Sequence, residues 1–159
     1  MGQVVLTTDG HVAVITLDNP DKHNAVDASM REQLAAAYER IEQDDAIRVA
    51  VIHGAGGRSF CAGGSIEGYL EKNAFGPDGT GVPSIPRPWP ATKPFIAAIN
   101  GYALGGGYAL ALSCDLRVVG RNARVGPSGL KRGAVQGAQT ISRLTRLVGS
   151  SRAMQILLL

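Results

Sequence analysis

Three consecutive glycines, Gly105, Gly106 and Gly107, stand between an apolar run rich in β-branched residues and an apolar run of helical composition. A triple glycine is a poor way to begin a helix unless something must come very close to its backbone. Helix starts carry unpaired N–H groups and the positive end of the helix dipole, so the approaching group is expected to be an oxygen bearing negative charge. Any fold for this chain must therefore place a strand, a tight glycine turn and a buried helix in immediate succession.

A chain of 159 residues fits one domain, and 45% hydrophobic with 18% charged residues is a globular composition. The glycines cluster in motifs, which separates the chain from low-complexity sequences. The net charge of +3 comes with no basic run longer than Lys131-Arg132, so nucleic-acid binding is not indicated. Cys61 and Cys114 lie far apart in dissimilar apolar settings. With no signal peptide in view they read as reduced, buried thiols of a cytoplasmic protein. Neither they nor His11, His23 and His53 have metal-ligand spacing.

Residues 3–17 read as two strands around Asp9-Gly10, a strong hairpin signal. From Asp27 to Glu42, Met30, Leu34, Ala37, Tyr38 and Ile41 recur at helical spacing; Ser29 and Glu32 form a candidate capping box, with Asp27 a competing cap. Arg48–His53 reads as a strand covered on both faces. A short helical stretch near Ile66–Lys72 and a long loop over 73–90 follow. Phe95–Asn100 reads as a buried strand, followed by the glycine turn, a helix to about Ser113 and a strand over Asp115–Val119. Residues 137–148 predict an amphipathic helix with Ile141, Leu144 and Val148 on its apolar side, and Ser150 or Ser151 is expected to cap a last helix. The uninterrupted apolar run Ile156–Leu159, without a polar exit, leads to the expectation of a chain cut short at its C-terminus.

Alternating strands and helices predict an α/β fold, which calls for a test against nucleotide motifs. Gly54-x-Gly56 follows a strand, but Ser59 stands at the third glycine position of a dinucleotide turn, and no P-loop pattern occurs. Residues 94–114 carry no charge and include Gly101-x-x-x-Gly105, yet their glycines and Asn100 fit a strand, turn and buried helix better than a membrane span. What remains is a pair of glycine-rich turns, Cys61-Ala62-Gly63-Gly64 after the third strand and Gly105-Gly106-Gly107 after the fourth. Either alone reads as tight packing. Side by side they could aim two N–H groups at one point, the geometry of an oxyanion hole.

The blocks IRVAVIHGAGGRSFCAGGS, KPFIAAINGYALGGGYALALSCDLRVV and RLTRLVGSSRAM closely resemble the crotonase (enoyl-CoA hydratase/isomerase) superfamily, and the likeness runs from the first hairpin to the last residue. The resemblance implies a spiral of ββα repeats and makes residues 1–159 an acyl-CoA-binding core. Only the N-terminal core of the fold would be present, without the C-terminal trimerisation helices. For the full-length family it implies a homo-trimer or a dimer of trimers. It also implies an acyl-CoA thioester as ligand, CoA being part of the substrate and no further cofactor required. The thioester carbonyl would sit between the N–H groups of Gly64 and Gly106. Ala62 would lie beside the adenine and Lys22 and His23 near the phosphates, with Ala25, Gly63 and Ile66 completing the substrate-binding set.

Family hydratases add two glutamates, a pair suited to acid and base work on water and the α-proton. This chain has Ala109 at the first of those positions and Gly129 at the second, and Ser65 replaces the acidic residue that usually follows the first oxyanion loop. Neither alanine nor glycine transfers a proton, so standard hydration is not expected. Tyr108, Ser128, Glu67 and Glu71 are neighbouring side chains that could substitute, against their plainer readings as packed or solvated residues. Gln136 and Gln139 could replace lost hydrogen bonds, and Asp115 reads as a backbone-orienting residue. Three functions stay open: an acyl-CoA enzyme of lyase or isomerase type working through enolate stabilisation, as in fatty acid metabolism; a non-catalytic acyl-CoA-binding protein; or an inactive truncated remnant.

Overall fold

The structure is a computed structural model and describes residues 1–65, 85, 88, 90–130, 135, 137 and 139–159. The Asp9-Gly10 signal is a hairpin between β1 (Gln3–Asp9) and β2 (Val12–Asp18), with Gly10 at φ 55°. A single 3-10 turn at Pro20–Lys22 leads into α1 (Ala28–Gln43). Asp27, and not the Ser29–Glu32 box, caps this helix: its Oδ1 accepts from Met30 N at 2.9 Å. The Ser29 hydroxyl instead accepts from Gln33 Nε2. A cap of this kind stabilises a helix by about 1 kcal/mol.

β3 (Val49–Gly54), β5 (Phe95–Ile99) and β7 (Leu116–Val119) join the hairpin in a five-stranded sheet of order β1-β2-β3-β5-β7, parallel from β2 onward. Three short strands unseen in the sequence, β4 (Ser59–Cys61), β6 (Tyr102–Leu104) and β8 (Arg124–Gly126), form a second parallel sheet of order β4-β6-β8. The chain thus spirals. Each turn lays one strand on the large sheet and the next on the small one. α2 (Gly106–Ser113) follows β6. The two glycine turns accordingly follow β4 and β6, not the long strands that the sequence suggested.

Inward residues of the large sheet (Ala13, Ile15, Leu17, Ala50, Ile52, Phe95, Ala97, Ile99) meet Met30, Leu34, Ala37, Tyr38 and Ile41 of α1 in the main core. Each fully buried Leu, Ile or Met here contributes about 1.5–3 kcal/mol. The other face of β3, Val49, Val51 and His53, is only half-buried, so the strand is not closed on both sides. The C-terminal end of α1 is tied to β5: Glu42 accepts from Thr92 N and Oγ1, and Lys93 Nζ donates to the Ile41 and Asp44 carbonyls. The Thr92 hydroxyl, chiefly, holds the Glu42 carboxyl below its usual range.

α3 (Thr140–Val148) starts later than expected, and of its expected apolar side Leu144 and Val148 pack inward while Ile141 does not. Thr140 and Leu144 are buried, whereas Ile141 is exposed, because the helix turns its i, i+4 row inward. α4 (Ser150–Leu158) has Gly149 at its N-cap, and neither serine side chain caps it. Within the Ile156–Leu159 run, Leu157 is buried with Tyr108, Leu112, Leu144 and Ala153 in a second cluster, while Leu158 and Leu159 are exposed. The uncharged stretch 94–114 is divided among β5, β6 and α2, and among the described residues no helix is long and apolar enough to cross a membrane.

Candidate functional site

The first turn is built by a loop that lies against it. Ala62 N donates to His23 O (3.0 Å), Val26 N donates to Gly63 O (2.8 Å), and Ser65 N donates to Val26 O (3.0 Å). Gly63 N donates to Cys61 Sγ at 3.4 Å. Residues 62, 63 and 65 thus all spend their N–H groups. Gly64, bridged in parallel to Val26, has no partner for its N–H among the described residues. Gly63 sits at φ +114°, a conformation that requires glycine.

The second turn is held by β8, where Gly105 N donates to Gly126 O at 3.2 Å. Gly105 at φ 53° then throws the chain into α2, and its carbonyl accepts from Ala109 N. Gly106 opens the helix with an N–H that has no partner among the described residues. The two turns touch: a Cβ on Gly63 would lie 3.3 Å from Gly106 N, and one on Gly106 would lie 3.5 Å from Gly63 Cα. Ile85, missed in the sequence, walls this contact, its Cδ1 3.0 Å from the position of a Gly106 Cβ. At the far end of α2, Arg117 donates to the Cys114 and Asp115 carbonyls, so the helix keeps its positive end for the turns and has its negative end compensated.

Proton-carrying groups are sparse at this point. Ala109, buried, lies one helical turn beyond Gly106, and Gly129 lies on the bend after β8. Ser128 Oγ lies 2.7 Å from the position of a Cβ on Gly105. Burial pushes the Cys61 thiol up to about 12, which keeps it protonated and unreactive. Tyr108 packs into the second apolar cluster, where burial raises its hydroxyl while Arg117 acts the other way. Asp115 orients backbone, as its position suggests: Oδ2 accepts from Phe95 N at 2.8 Å.

Lys22 is exposed on the 3-10 turn. His23 is half-buried at φ 52°; its Nδ1 bonds the Ser59 hydroxyl at 2.9 Å, and its ring meets Tyr102 edge to face. Ala25 accepts from Asn19 Nδ2, and Ala62 is half-buried beside Gly63. Gln139 opens α3 at φ 60° and accepts from Arg143 Nε. Ile66, Glu67, Glu71 and Gln136 lie outside the described residues. Among the described residues no three His, Cys, Asp or Glu side chains converge as a metal site.

A family model described as enoyl-CoA hydratase/isomerase matches residues 7–159. The chain belongs to that family. Among relatives of this enoyl-CoA hydratase/isomerase chain, (E)-benzylidenesuccinyl-CoA hydratase of Thauera aromatica is 38% identical over 160 residues, covering 98% of this chain and 61% of that protein. Short-chain-enoyl-CoA hydratase of Clostridium acetobutylicum is 36% identical over 162 residues, covering 99% and 61%. A crystal structure of an enoyl-CoA hydratase from Mycobacterium marinum superimposes with a TM-score of 0.86 at 35% identity, over 98% of this chain and 61% of that one. The enoyl-CoA hydratase/isomerase chain therefore spans about 61% of the length of the relatives it matches, and its spiral is the crotonase α/β fold.

Proposed function

We propose that the protein binds an acyl-CoA thioester with its carbonyl oxygen between the N–H groups of Gly64 and Gly106, and acts, if it turns over, by stabilising a thioester enolate. The observation that carries this reading is the pair of touching glycine turns: among the described residues the Gly64 N–H is unbonded between bonded neighbours, and Gly106 presents the first unbonded N–H of α2. An enolate is a developing oxyanion, and fixed backbone donors in a site walled by Ile85 stabilise it by a few kcal/mol each, on the order of 2.7–4. Lys22, His23, Ala25, Ala62, Gly63 and Ile66 are proposed to hold the CoA moiety and acyl chain. The named relatives are hydratases, but Ala109 and Gly129 supply no acid or base here, so the proposed chemistry is decarboxylation, carbon–carbon bond change or isomerisation. Two buried free thiols suit a reducing, cytoplasmic setting.

Calorimetry with butyryl-CoA and crotonyl-CoA, followed by product analysis of the same mixtures, tests the reading. Binding together with release of CO2 from added malonyl-CoA, which leaves an enolate without needing a base, or with another product, supports enolate chemistry. Binding without any product favours a non-catalytic acyl-CoA-binding protein. Hydration of crotonyl-CoA at the rate of an ordinary hydratase overturns the account of Ala109 and Gly129, and absence of binding overturns the whole reading.

A further inference from the structure

Among the described residues the Gly64 N–H has no partner, and Val26 grips the residues on either side of it, accepting from Ser65 N and donating to Gly63 O. What fixes Val26 lies two residues upstream. Asn24 is fully buried in left-handed backbone at φ 55°. Its Oδ1 accepts from Asn19 N (2.9 Å), and its Nδ2 donates to Ala55 O (3.0 Å) and Ser59 O (2.8 Å). One side-chain amide therefore spends both of its donors on the connection between β3 and β4 and its acceptor on the start of its own loop. Ser59 is the residue of β4 that pairs with Tyr102 of β6, the strand leading into the Gly106 turn.

We propose that Asn24 is a positioning residue for the Gly64 N–H: through Val26 it sets where that donor points relative to the Gly106 turn. The proposal rests on reading the two turns as a thioester-oxygen site. A fully satisfied buried amide fixes one arrangement where apolar packing would tolerate several. It acts on direction, and a hydrogen-bond donor displaced by about 1 Å from a developing charge loses on the order of 100-fold of its effect. A purely structural asparagine would change melting alone.

Asn24→Asp keeps the shape of the side chain and removes both Nδ2 donors. The probe is hexadienoyl-CoA, whose thioester carbonyl stretch in isotope-edited infrared spectra reports polarisation by the two donors, with free CoA as the control ligand. The expected result is a carbonyl band that moves from its wild-type bound position back toward that in water. Preference for hexadienoyl-CoA over free CoA falls about 10-fold, a partial loss of one donor. A wild-type band position in the folded variant, even with lowered melting, overturns the proposal. If Asn24→Asp does not fold, Asn19→Ala, which frees the Ala25 carbonyl on the same loop, must shift the band in the same direction; an unmoved band overturns the proposal. Wild-type protein that binds the probe without polarising it, or does not bind it, overturns the oxyanion reading itself and is told apart by needing no variant.

Discussion

Gly107 and Cys61 meet backbone against backbone: a Cβ on Gly107 would fall far inside contact distance of the Cys61 carbonyl oxygen. The first residues of α2 are thereby pressed onto β4, and this packing brings the two glycine turns together. Gly107→Ala is expected to destabilise the protein by about 3 kcal/mol, since backbone cannot yield as a flexible side chain can. Gly126→Ala, where no described residue lies within 4 Å of the added atom, is expected to stay within about 0.5 kcal/mol. Urea unfolding of both variants checks the contrast, and equal losses would contradict it.

Arg117 is expected to matter for stability beyond its charge. Its guanidinium satisfies the Cys114 and Asp115 carbonyls where α2 ends. Arg117→Ala should cost about 2 kcal/mol, the range for charged hydrogen bonds, and Arg117→Lys should recover only part of it, because an ammonium lacks the planar fork. Thermal melts of the two variants measure this, and an Ala variant that melts like wild type refutes it.

The buried thiols predict a loss of stability in alkali. Burial raises both Cys61 and Cys114 to about 12, whereas unfolded thiols ionise near about 8.5. The unfolded state then releases protons that the folded state keeps. The contribution is fully present below about pH 8.5 and is lost as pH rises toward the folded values, at about 1.4 kcal/mol per unit per thiol. Tyr38, raised by burial, adds the same sign at higher pH. Replacing both cysteines by alanine should flatten the urea midpoint between about pH 8.5 and about pH 10; an unchanged slope would sink the assignment.

Restoring carboxylates should restore water chemistry only as a pair. Ala109→Glu with Gly129→Glu is expected to gain hydration of crotonyl-CoA, read as loss of enoyl absorbance, while each single change gains none, since acid and base must both be present. Ala109 is buried, so the first change should also lower the melting temperature. Activity in either single variant would contradict the pairing.

Exposed apolar side chains predict self-association. Leu116, Val118 and Val119 stand on the edge strand β7, and Met154, Ile156 and Leu158 stand on α4. Sedimentation is expected to show concentration-dependent association; a sharp monomeric boundary over a wide concentration range would contradict it.

Long elements were legible because their pattern repeats. The hairpin carries its own turn signal, α1 shows five inward residues at helical spacing, and β3 and β5 are apolar runs. The second sheet was not legible. Its strands have three residues each, too few to display alternation, and Ser59 finds Tyr102 only through the fold of the intervening chain. Ile141 misled because it is as apolar as Leu144, while the inward position went to Thr140, whose Oγ1 has no partner among the described residues. In the candidate site the glycines were readable, since Gly63 and Gly105 take positive φ and Gly107 lies too close to Cys61 for a side chain. Asn24 was not, because an asparagine in a Pro-punctuated loop looks like a turn residue until the strands that bury it are in place.

Because β4 and β6 are neighbours in one parallel sheet, the span between their two glycine turns is set by the pitch of that sheet, about 4.8 Å. Such a ruler has its length from peptide bonds, and only the aim of its ends is left to side chains such as Asn24. Substitutions of the side chains that line the turns can accumulate without altering the gauge. A scaffold of this kind can exchange the side chains around its two turns while keeping the distance between them.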